Sequence, residues 1–106
     1  MSKLTAVLTN KELAICGLDD LDEHDQQELF VAIKNSCGQR VFFTKRHSFF
    51  GYGGAMIEED FQAYLDYRLR NCTDDRREII KAEIMKNTIQ VYQCLVDRAL
   101  RRIWEA

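Results

Sequence analysis

The 106-residue chain contains no proline, which excludes Pro-rich linkers and collagen-type repeats. Long apolar runs are missing too. None approaches the roughly 20 residues of a membrane-spanning helix, so no transmembrane segment is expected. The opening Met1–Thr5 has one basic residue and no apolar stretch of the kind a secretory signal needs, so the expected location is the cytoplasm. The four cysteines, Cys16, Cys37, Cys72 and Cys94, form no C-x-x-C pair, and no histidine stands at ligand spacing from them. They read as small, mostly buried thiols, with no metal and no cofactor expected. His24 and His47 fall in different segments and read as surface or packing residues. An excess of one charge is also lacking. Fifteen basic and 17 acidic side chains give a net charge of −2, so the whole-chain field does not mark a nucleic-acid binder.

What is present is globular. A hydrophobic share of 46% with 30% charged residues argues against disorder, and the length fits a single domain over 1–106. Charge is divided unevenly along it. Residues 1–65 carry 6 basic and 10 acidic side chains, net −4, and residues 66–106 carry 9 and 7, net +2. The acidic excess gathers at Asp19, Asp20, Asp22, Glu23, Asp25 and Glu28. Carboxylates are favoured at helix starts, so one reading is a solvated first turn. The other is a face for a basic partner, with Asp19, Asp20, Asp22 and Glu23 as the partner-binding residues.

Local patterns predict a mainly α-helical domain with a minor β-strand element. Thr9 and Glu12 fit a capping box, opening a short helix that stops at Gly17. A helix over 22–36 follows, with Gly38 as its cap. Arg40–Thr44 reads as a strand, which needs a partner near 48–52, in Leu4–Leu8, or in a second copy of the chain. From Ile57 to Asn71, Phe61, Leu65 and Leu69 recur every four residues, as on one face of a helix. Asp75 and Glu78 start the next helix, Asn87 and Thr88 interrupt it, and a last helix spans 89–104 with Tyr92, Val96, Ala99 and Ile103 along one stripe.

The last two helices suggest a helix-turn-helix-like pair over 57–106, with 1–56 as the dimerisation part. In that layout Gln90 and Gln93 stand near the start of the recognition helix, where bidentate side chains meet base edges. Thr88 and the helix N-terminus would hold a phosphate, and Arg98, Arg101 and Arg102 add positive charge. Lys45–Gly54 mixes basic, aromatic and glycine residues. It reads either as a base-stacking loop or as a hairpin whose aromatics pack inward. Glu58, Glu59 and Asp60 are adjacent in sequence and point apart on a helix, so they make no carboxylate dyad, and no catalysis is expected.

The stretch Phe30 to Arg46, an apolar helix ending at Gly38 and followed by Gln39-Arg-Val-Phe-Phe-Thr44, resembles the Mor (middle operon regulator) family of phage transcription activators. Arg68-Leu-Arg-Asn71 and Val91-Tyr92-x-x-Leu95, with the Arg-rich end, are similar to further family stretches. The resemblance spans about two-thirds of the chain. It implies a homodimer built from helices and a paired strand, with a helix-turn-helix in each subunit. The DNA-facing positions would be Thr88, Gln90, Gln93, Arg98 and Arg101. The chain departs from the family in lacking the proline after the strand, in its Phe49–Gly54 link, and in a turn, Met85–Thr88, without glycine. The expected function is therefore a homodimeric regulator of transcription on double-stranded DNA. The alternative is a phage-type small inhibitor that meets a host protein complex through its acidic face.

Overall fold

A computed structural model of the chain describes residues 3–45 and 54–105. They form a mainly helical fold around a small three-stranded antiparallel sheet. The elements run α1 (Asn10–Ile15), α2 (Glu23–Asn35), β1 (Val41–Thr44), β2 (Gly54–Ile57), α3 (Glu58–Leu69), α4 (Asp74–Lys86), β3 (Thr88–Gln90) and α5 (Gln93–Glu105), preceded by a 3-10 turn at Leu4–Ala6.

The helix boundaries follow local chemistry. The Thr9 hydroxyl accepts the Glu12 N–H at 3.2 Å, and the Glu12 carboxylate accepts the Thr9 N–H at 2.9 Å, so the expected capping box is formed. Gly17 follows α1 with φ of 74°. Asp22 caps α2 by accepting the Asp25 N–H at 2.8 Å. After α2 the chain passes through two left-handed residues, Cys37 at φ 52° and Gly38 at φ 86°. The stop expected at Gly38 is thus shared with a cysteine.

β1 is the middle strand, and all four of its residues are buried. A strand covered on both faces reads as a continuous apolar run, which Val41-Phe-Phe-Thr44 nearly is. Its partners lie within the chain: Gly54–Ile57 on one side and Thr88–Gln90 on the other. Leu4, expected as possible strand, is instead buried in the 3-10 turn. Val41 and Phe43 face a core built with Leu4, Leu8, Leu29, Ile33, Leu95, Val96 and Ala99. Phe42 faces the other way. It stacks on Phe61 with ring centroids 4.4 Å apart, in a smaller core with Met56, Leu65 and Ile84.

Two boundaries differ from the sequence expectation. The helix expected from Ile57 begins at Glu58, because Gly54–Ile57 is spent on β2. The last helix begins at Gln93 rather than 89, because Thr88–Gln90 joins the sheet. The two C-terminal helices are present, but a strand instead of a tight turn connects them. Ile84 of α4 belongs to the smaller core, whereas Leu95, Val96 and Ala99 of α5 belong to the larger one. The two helices therefore pack on opposite faces of the sheet. Away from the sheet, α3 and α4 make an arm: no residue from 66 to 83 is fully buried, and the described body measures 48 × 25 × 20 Å.

Candidate functional site

The residues expected to face DNA are scattered by β3. Thr88 lies in the strand, where its hydroxyl donates to the Ile84 carbonyl at 2.6 Å and sits 3.1 Å from the Thr44 hydroxyl. Gln90 is exposed on the same strand. Gln93 opens α5, and its Nε2 donates to the Gly38 carbonyl at 2.9 Å and to Asp97 at 3.1 Å. It ties α5 to the end of α2. Arg101 is exposed on α5.

Arg98 and Arg102 converge on Glu12. This carboxylate, 8% exposed, receives Nη1 of Arg98 on one oxygen and Nη1 of Arg102 on the other, the latter at 2.9 Å. Arg102 also donates to the Val7 carbonyl at 2.6 Å. The Thr9 backbone N–H first, then Arg102 and Arg98, hold the Glu12 carboxyl down to about 2, well below its ordinary range. Glu12 thus joins the cap of α1 to α5. The sequence signalled the cap but not the clamp, since the arginines lie 86 and 90 positions away.

The acidic residues keep together. Asp19, Asp20, Asp22 and Glu23 are exposed on the link from α1 into α2, and Asp25 is half-buried. Asp22 has a structural task as the α2 cap. Asp19, Asp20 and Glu23 make no ion pair with any described residue. Glu58, at the start of α3, pairs with Arg40 through contacts of 2.6 and 3.1 Å. The hydrogen bond from Arg40 lowers the Glu58 carboxyl and raises the Arg40 guanidinium.

A groove missed by the sequence reading runs along the outer edge of β2. Two shallow cavities meet there, sharing Ala55, Met56 and Asp60. One is lined on α2 by Val31 and Glu28, the other on α3 by Tyr67 and Arg68. The signal was available in Gly54-Ala-Met-Ile57, a short apolar run after a glycine cluster, but it merged with the helix that follows.

Of the Lys45–Gly54 stretch, residues 46–53 lie outside the described residues, and with them the readings of Phe49–Gly53 and His47. Cys37 and Cys94 are exposed, correcting the expectation of mostly buried thiols; Cys16 is buried and Cys72 partly so. Among the described residues no group of three metal-ligating side chains is found, and no helix is long and apolar enough to cross a membrane. No family model, no curated protein and no solved structure matches the chain.

Proposed function

We propose that the chain is a non-catalytic interaction protein that meets a basic partner through the acidic surface of Asp19, Asp20, Asp22 and Glu23. The observation that carries this reading is the division of charge in space. Two of the three C-terminal arginines, Arg98 and Arg102, are turned onto Glu12, while Asp19, Asp20 and Glu23 stand exposed without an ion pair among the described residues. The same division weakens the alternative of a regulator reading duplex DNA. Gln93 and Arg98 are engaged within the chain, and Thr88 and Gln90 belong to a strand rather than to a recognition helix.

Acidic surfaces steer basic partners and fix the register of docking, with association rates that fall as salt rises. The test is co-purification from the native host with the wild-type chain and with Asp19→Lys/Asp20→Lys, which leaves the Asp22 cap intact. A stoichiometric protein partner is expected with the first and lost with the second, at unchanged helical circular dichroism. Tight, salt-dependent binding of random duplex DNA, with no protein partner, overturns the reading in favour of DNA.

A further inference from the structure

The outer edge of β2 has hydrogen-bonding groups that no described residue uses. Glu58 N–H bonds to the Arg40 carbonyl at 2.8 Å, and the register pairs Phe42 with Met56 and Thr44 with Gly54. Antiparallel ladders alternate, so Met56 and Gly54 exchange bonds with β1, while Ala55 and Ile57 turn their backbone groups outward. The Ile57 carbonyl belongs to the first turn of α3, since Ile57 is its N-cap. That leaves Ala55 N–H, Ala55 C=O and Ile57 N–H along an edge that no described strand covers.

This edge is not bare surface. It lies in the groove between α2 and α3, so an added strand would have a shelf on either side. Val31, 42% exposed, stands on the α2 side, and Tyr67, 71% exposed, on the α3 side. Alternate side chains of an added strand point to opposite faces, one set toward each shelf. The α2-side cavity holds Asp60 and Glu28, the latter 3.1 Å from His24, and among the described residues no lysine or arginine, whereas Arg68 lines the α3-side cavity, so the acidic charge that the edge offers a basic side chain lies on its α2 side.

We infer that the open edge of β2 accepts an extended, lysine- or arginine-bearing segment of another protein as an added strand. Main-chain bonds to Ala55 and Ile57 supply register, the apolar shelves take alternate side chains, and Glu28 and Asp60 attract the basic ones. A second copy of the chain is the less favourable occupant. Edge-to-edge pairing about a two-fold axis gathers the Glu28 and Asp60 carboxylates of both copies along one seam. The inference stands apart from the Asp19–Glu23 surface, because it uses different residues.

The probe is a blocked octapeptide of alternating lysine and valine, titrated by fluorescence anisotropy. Two modified versions carry N-methyl groups, one on every valine nitrogen and one on every lysine nitrogen. An added strand turns only alternate residues toward its neighbour, so one version is expected to bind at least tenfold more weakly and the other to stay within about threefold. Ala55→Pro removes an outward donor without touching the β1 ladder and is expected to weaken the unmodified peptide at least tenfold. Glu28→Lys/Asp60→Lys has the same expected effect, whereas Asp19→Lys/Asp20→Lys stays within twofold. Equal behaviour of the two N-methylated peptides overturns the inference, and this comparison does not depend on how any variant folds. A sedimenting dimer that Ala55→Pro dissociates also overturns it, in favour of a second copy.

Discussion

Cys37 holds a left-handed backbone conformation at φ 52°, one that L side chains other than asparagine and aspartate seldom adopt. The cost is local, and glycine removes it, so Cys37→Gly is expected to stabilise the fold by about 1 kcal/mol, read as a higher urea midpoint with an unchanged slope. Glu12 acts in the opposite direction. Its folded-state carboxyl lies near 2, below the ordinary value of 4.5. The unfolded chain therefore binds the proton more readily, and the stability Glu12 contributes is complete above 4.5 and is lost as pH falls toward 2. Between pH 7 and pH 3 this group alone should remove about 2 kcal/mol. Urea unfolding of wild type and Glu12→Gln at both values isolates it: the gap between them is expected to shrink at pH 3. The sequence showed half of this residue. Its cap partner is three positions away, whereas Arg98 and Arg102 reach it only after α5 has packed on the larger core.

At the scale of elements, α3 and α4 hang from the sheet by few side chains. Phe61, Leu65 and Ile84 are their fully buried residues, and all belong to the smaller core. Exchange of backbone hydrogens should therefore be faster between Asp66 and Glu83 than in α2 or α5, because local opening there exposes little apolar surface. Phe61→Ala deletes the ring stacked on Phe42 and is expected to cost about 3–5 kcal/mol, accompanied by faster exchange throughout α3 and α4. The periodicity of Phe61, Leu65 and Leu69 made α3 visible in the sequence. β3 was not visible, because Thr88-Ile-Gln90 is too short to show an alternation and sits between two strong helical patterns. Only β1, with its edge open on that side, makes a strand of it.

At the scale of the molecule, three side chains of the C-terminal basic segment are Arg98, Arg101 and Arg102, and two of them are bound to Glu12. Random duplex at low salt is therefore expected to bind weakly through α5, with a shallow salt dependence, because Arg101 is the one of these three left to neutralise phosphates. Fluorescence anisotropy across a salt series measures the slope, and a steep one returns the DNA reading. The exposed charge is divided: the α1–α2 link carries Asp19, Asp20 and Glu23, and α4 carries Arg76, Arg77, Lys81 and Lys86.

The sequence by itself determined the parts governed by neighbours: the capping box at Thr9 and Glu12, the acidic start of α2 and the stop after it, the helical periodicities, and the apolar run of β1. These depend on contacts within a few residues, which spacing alone reports. The tertiary structure decided what depends on distant partners. It placed β3 between α4 and α5, set those helices on opposite faces of the sheet, closed Arg98 and Arg102 onto Glu12, and left the outer edge of β2 without a strand partner among the described residues. Strand pairing and ion pairing join residues far apart along the chain, and the local pattern that announces a helix carries no record of which distant group will meet its outer face.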